Sequence, residues 1–165
     1  MPYHHRPVGS TKRHLVLAAA LAWSGAPGQL GCHRDARPPL ARAGDVIVTG
    51  GYAYPSTGGM SSAYLRFENA GTGPDTLDAI IAPDNAKVGL HETVADGLAG
   101  RMVPLARLVL AGGARWGMEP GKAHMMIQGL DPGLALGDSL RLELRFARGG
   151  TVTVVVPVVP LGEMP

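Results

Sequence analysis

The chain has 165 residues, enough for one compact domain plus a tail, since single cores form within about 100 to 200 residues. Gly (24) and Pro (14) are frequent enough to put turns at short intervals, which excludes long helices and favours an all-β chain. The formal net charge of +2 is unevenly placed: Arg6, Lys12 and Arg13 precede Cys32 with no acid among them, whereas from Cys32 onward 12 basic side chains face 13 acidic ones. That balance argues against nucleic acid as a partner, because neutralising a phosphate backbone takes Lys and Arg clustered on the folded domain.

Residues 1–32 have the three parts of an export signal: a basic start ending in Lys12-Arg13-His14, an apolar run from Leu15 to Trp23, and a small-residue exit from Ser24 to Gly31. The apolar run is about half of the ~20 residues that a membrane span needs. Cys32 is the one cysteine, so neither an internal disulfide nor a metal site of paired thiolates is possible. Gln29-Leu30-Gly31-Cys32 resembles the lipid-attachment box of bacterial lipoproteins, with the leucine one place late. Residues 1–32 are therefore read as a lipoprotein-type signal, with Cys32 as the only membrane anchor; the alternative is an incidental cysteine in a leader cut elsewhere. Residues 33–44, with Arg34, Arg37, Arg42 and Pro38-Pro39, read as a flexible tether, 45–160 as the folded domain and 161–165 as a tail.

Within the domain, short apolar runs alternate with turns. Strands are expected at Val46 to Val48, Ala63 to Phe67, Leu77 to Ile81, Lys87 to Thr93, Gly100 to Val103, Ala114 to Met118, Ala123 to Leu130, Ser139 to Phe146 and Thr151 to Val159, with Leu105 to Leu110 as a short helical exception. Eight or nine strands at this spacing predict a sandwich. From Leu140 to Phe146 apolar and charged residues alternate strictly, as in a half-solvated antiparallel strand, and Arg148-Gly149-Gly150 turns the chain into a final hairpin. There is no internal repeat, P-loop, dinucleotide glycine fingerprint, Gly-x-Ser-x-Gly elbow or His-Glu-x-x-His, and no catalytic residue is expected.

Four residues carry the candidate chemistry. Asp96-Gly97 is a two-residue hairpin signal, and a loop centred there sets His91 directly opposite Met102, with Val88 and Leu90 toward the core. His124 and Met126 are two apart, so on a strand they share a face while Ala123, Met125 and Ile127 take the other. If the two segments lie side by side, the result is a His2Met2 cluster. Thioether sulfur is a poor partner for Mg²⁺, Ca²⁺ or Zn²⁺ and a good one for Cu(I), and imidazole accepts copper readily, so the set points to one Cu(I) ion. Thioethers also resist the disulfide formation that would disable a thiolate site in an oxidising compartment.

The spacing His, ten residues, Met, twenty-one residues, His, one residue, Met holds across 91, 102, 124 and 126, and a chance match at this chain's own His and Met frequencies is on the order of 3 in 10,000. It resembles the signature of the bacterial periplasmic copper chaperone family called PCuAC. Ser62-Ala-Tyr-Leu-Arg-Phe-Glu-Asn69, Leu90-His-Glu92, Pro120-Gly121, Ala123-His-Met-Met126, Gly129-Leu130 and Leu136-Gly137-Asp138 accompany it, and the resemblance spans roughly Asp45 to Val159. It implies a cupredoxin-like Greek-key β-sandwich of about eight or nine strands. The implied role is a monomeric carrier in the periplasm or at the outer face of a bacterial membrane. Such a carrier delivers Cu(I) to an acceptor protein such as subunit II of cytochrome c oxidase. Many members have Met directly after the first His, where this chain has Glu92, and a Trp-Ala-Arg motif early in the domain, where this chain has Tyr52-Ala53-Tyr54-Pro55.

Met118 and Met125 are read as core packing, and Trp116 as core or as a shield over the copper. Met60, in the Ser56 to Ser62 loop, is read as exposed, either without a role or as a transient copper contact; His4, His5, His14 and His33 receive none. Two other functions use the same residues differently: a copper store with no dedicated acceptor, and a metal-free interaction module.

Overall fold

A computed structural model describes residues 38–96 and 99–165. The expected leader, Cys32, residues 33–37 of the expected tether and Gly97 lie outside these residues. The described chain forms β1 (Ala41–Ala43), β2 (Val46–Ala53), β3 (Met60–Asn69), β4 (Asp75–Ile81), β5 (Lys87–Asp96), β6 (Ala99–Pro104), β7 (Leu108–Leu110), β8 (Arg115–Gly117), β9 (Ala123–Gln128), β10 (Ser139–Phe146) and β11 (Gly150–Pro157), with one 3-10 turn at Pro83–Asn85. No helix among the described residues is long and apolar enough to cross a membrane.

The strands form two antiparallel sheets, the cupredoxin-like sandwich that the sequence predicts. One runs β1-β2-β3-β9-β5-β6, with β8 also on β3; the other runs β11-β10-β4-β7. Their inner faces build one core. Leu140, Leu142, Leu144 and Phe146 enter from β10, and Val46, Val48, Leu65, Phe67, Met125 and Ile127 from the larger sheet, each buried. At about 1.5–3 kcal/mol for each large apolar side chain removed from water, this burial is the main term holding the sheets together.

Eleven strands replace the expected eight or nine because two short ones outside the expected set, β1 and β7, pair at the sheet edges. Two expectations change as a result. Leu105 to Leu110 is not helical: Leu108 and Leu110 are buried and Val109 is exposed, the period-two pattern of a strand, and β7 pairs with β4. The stretch read as tether also contains β1, which pairs with Val46 to Val48, so strand pairing begins before Asp45. The tail is held as well, since Arg66 Nη2 donates to the Pro165 carbonyl oxygen at 2.8 Å and Tyr54 Oη to that of Glu163 at 3.2 Å.

One irregularity positions the functional face. Val48 pairs with Phe67, but Gly50 pairs with Arg66, so Thr49 is an extra residue on β2. A bulge of one residue reverses the alternation beyond it. Val46 and Val48 point to the core, whereas Tyr52, opposite Tyr64, points to the other face of the sheet. Tyr52, Tyr54 and Tyr64 then form one buried cluster, with ring centroids 4.9 to 5.5 Å apart.

Candidate metal centre

β9 lies between β3 and β5, and its register with β5 fixes the site. His91 stands directly opposite His124, and Gly89 directly opposite Met126. Opposed residues on an antiparallel pair share a face, as do residues two apart on one strand, so His91, His124 and Met126 project from the same side of the larger sheet. That side faces away from the core, since Met125, between His124 and Met126, is fully buried on the inner face. The imidazoles of His91 and His124 are stacked, 5.8 Å between centroids and 30° between planes.

Met102 joins the same face by a different pairing from the one the hairpin signal predicts. The β5–β6 ladder sets Thr93 opposite Met102 and His91 opposite Pro104, ending at Asp96 opposite Ala99. The connection is thus residues 97–98, and Asp96 belongs to the ladder instead of the turn. The register moves by two, which keeps every side chain on its expected face and makes His91 and Met102 diagonal neighbours, a relation that typically spans about 7–8 Å with the Cβ atoms somewhat closer, within reach of a long thioether side chain. Met102 is 56% exposed and His124 9%, so the four side chains run from a wet edge at β6 to a buried position on β9.

The two imidazoles differ in their surroundings. His124 Nδ1 lies 3.4 Å from the Lys122 carbonyl oxygen; donating its proton there leaves the Nε2 lone pair free to ligate. His91 Nδ1 is buried and has no hydrogen-bond partner among the described residues. A buried ring nitrogen left so costs about 1–3 kcal/mol unless something else binds it. The His91 ring folds back over Gly89: a Cβ at position 89 would stand 2.7 Å from its Cε1 and 3.5 Å from each ring nitrogen. Glycine at 89 therefore makes the space in which His91 meets the Met126 row.

The buried end of the site is walled by aromatic rings. The Tyr64 centroid is 6.5 Å from that of His124, and the tyrosine cluster continues behind it. Burial raises the phenol pKa of Tyr52 and of Tyr64, keeping both neutral. The residues that replace a Trp-Ala-Arg motif thus stand in the wall beside His124. Trp116 is half-buried and packs with Phe67, which it opposes on β3, so it belongs to the core. Met118 and Met125 are core as expected, and Glu92 is exposed opposite Ala123, on the strand face away from His91.

Sequence reasoning missed Gly89, whose role shows only once His91 is seen to fold backward, and the Lys122 carbonyl. It also placed Met60 in a loop, whereas Met60 is the first residue of β3, opposite Gln128. Among the described residues no three His, Cys, Asp or Glu side chains are placed to share a metal, so any ion on this face depends on the thioethers. The donor set suits a soft monovalent cation and not a hard divalent one.

A sandwich of this topology is the fold of PCuAC domains. The copper-bound PCuAC domain from PmoF2 matches it with a TM-score of 0.63 at 19% identity, over 75% of this chain and 99% of that domain. The CuI-DR1885 solution structure from Deinococcus radiodurans matches with a TM-score of 0.56 at 21% identity, over 80% and 85%. In sequence, residues 46–158 match the LpqE-like lipoprotein family, and the chain belongs to that family. A relative from Leifsonia xyli subsp. xyli (strain CTCB07), named "Putative lipoprotein Lxx21020", is 29% identical over 125 residues, 75% of each chain.

Proposed function

We propose that this protein is an exported copper chaperone that holds one Cu(I) ion with His91, Met102, His124 and Met126 and passes it to an acceptor protein. The observation that carries this reading is the direct opposition of His91 and His124 on β5 and β9, with Met126 and Met102 on the same face. Two imidazoles and two thioethers on one face match the preference of Cu(I) for soft and borderline donors. The PmoF2 domain and DR1885 bear copper on this fold, which supports the same cargo here.

Delivery fits the gradient of exposure. An acceptor's ligands approach from the exposed side of the site face and replace donors one at a time, while the buried His124 releases last. Copper remains Cu(I) throughout, and no electron or proton need move when a thioether leaves. The proposed setting is the outer face of a bacterial membrane with Cys32 as lipid anchor, in keeping with the lipoprotein family to which the chain belongs. The proposed acceptor is a copper centre such as that of cytochrome c oxidase subunit II.

The test is anaerobic Cu(I) titration against a competing chelator, using full-length protein with Cys32→Ser so that the thiol does not compete. One equivalent bound tightly, with at least a tenfold weaker affinity in His124→Ala and in Met126→Leu, is the expected result. Equal binding by the parent and by the variant carrying both His124→Ala and Met126→Leu would reject the site and leave a metal-free sandwich module.

A further inference from the structure

Met60 lies outside the four proposed ligands, yet the fold brings its sulfur to them. It follows a tight turn: Thr57 and Met60 exchange backbone hydrogen bonds, at 2.8 and 3.2 Å, across Gly58 and Gly59, whose φ angles of +58° and +77° are the left-handed values such a two-residue turn requires. The turn fixes Met60 at the start of β3, opposite Gln128, while Ser62, two residues on, is opposite Met126. Met60 and Met126 are therefore diagonal neighbours on the site face.

Gln128 Nε2 donates to the Met60 sulfur at 3.5 Å and lies 3.9 Å from the Met126 sulfur. One side-chain amide thus sits between two thioethers, and both sulfurs turn toward the same spot. Met60 is 46% exposed, so the site face has a second wet thioether at the β3 side, across the buried His124 from Met102.

Resting on the Cu(I) reading above, we propose that Met60 is a transient copper ligand, an exchange port through which Cu(I) enters and leaves by way of Met126. In the exchange step the Cu–S bond to Met60 forms as a bond to one of the four resident ligands breaks. Copper stays Cu(I), and the Gln128 amide releases the Met60 sulfur as the metal takes it. A neutral, unhindered thioether suits this task because it adds no charge and needs no deprotonation.

The experiment compares Met60→Leu with the parent, both full-length and with Cys32→Ser. Leucine keeps apolar bulk at an exposed position and removes only the sulfur. Two quantities are measured: the equilibrium Cu(I) affinity by chelator competition, and the stopped-flow rate of Cu(I) transfer to a chromogenic bidentate nitrogen chelator. The port predicts transfer at least fivefold slower with affinity changed less than twofold. An unchanged rate overturns it while leaving the four-ligand site standing, and so does an affinity loss as large as that of Met126→Leu, which would make Met60 a resident ligand. If the parent protein takes up no Cu(I), the underlying reading fails and the port with it.

Discussion

Gly89 and His91 share one patch of β5: the imidazole lies across the position a side chain at 89 would occupy, 2.7 Å from where its Cβ would stand. The ring's place opposite His124 and beside the Met126 row thus depends on a residue that touches no metal. In Gly89→Ala the ring must rotate away, because the neighbouring β9 strand fixes the backbone. Cu(I) affinity is expected to fall about tenfold, about 1.4 kcal/mol, with the thermal midpoint nearly unchanged. Chelator competition alongside thermal unfolding measures both, and an unchanged affinity would show that the ring orientation is unimportant.

Met125 and Met126 are adjacent and opposite in effect. Met125 is fully buried in the core, so Met125→Ala leaves a cavity and is expected to cost on the order of 2–5 kcal/mol of folding stability while the folded fraction still binds Cu(I). Met126→Leu preserves bulk on the outer face and is expected to weaken Cu(I) binding at least tenfold with little change in stability. Denaturant unfolding and copper titration of the two variants separate the faces of β9. A copper defect in Met125→Ala as large as that in Met126→Leu would contradict the assignment.

Asp75 anchors the far end of the sandwich. Its carboxylate accepts from the backbone N–H groups of Thr76, Arg148 and Gly149 at 2.8, 2.9 and 2.8 Å, tying the β10–β11 turn to β4. Hydrogen bonds to a charged acceptor are worth more than neutral ones, and Asp75→Ala also leaves those donors unpartnered, so a loss on the order of 2–3 kcal/mol is expected. Copper stoichiometry of the folded protein should stay at one, since the carboxylate's hydrogen bonds run to β4 and the β10–β11 turn and not to β5 or β9. Thermal unfolding with parallel titration provides the check.

The tyrosine wall gives the fold an alkaline limit. Burial raises the phenols of Tyr52 and Tyr64 above the usual 10.0, so the folded state favours their neutral form. The stability this contributes is fully present below pH 10 and is lost as pH rises beyond it toward the folded-state values. Tyrosinate absorbance from these two residues is expected to appear only together with loss of the β-sheet circular dichroism, and Tyr52→Phe with Tyr64→Phe should shift that transition to higher pH. Ionisation of both near pH 10 with the sheets intact would contradict the buried placement.

Sequence patterning read the strands where one rule governed both faces. Ser139–Phe146 matches end to end because its alternation is unbroken, and the common face of His124 and Met126 followed from period two alone. Turn chemistry misled once: Asp96-Gly97 promised a loop one residue earlier than the ladder allows, but a shift of two in register moves neighbours without turning any side chain over. The Thr49 bulge was not legible, because the strand expected from sequence stops at Val48 and the reversal that puts Tyr52 and Tyr54 beside the site arises from pairing with β3. Gly89 and the Met60–Gln128–Met126 group were hidden for a similar reason, since their relation depends on which strands become neighbours.

X-ray absorption on the full-length protein carrying Cys32→Ser and one equivalent of Cu(I) tests the central claim most directly. Mixed sulfur and imidazole scattering is predicted, with the sulfur contribution reduced in Met102→Leu and in Met126→Leu and the imidazole contribution reduced in His91→Ala and in His124→Ala. A shell without sulfur, or one that none of these substitutions alters, would contradict it.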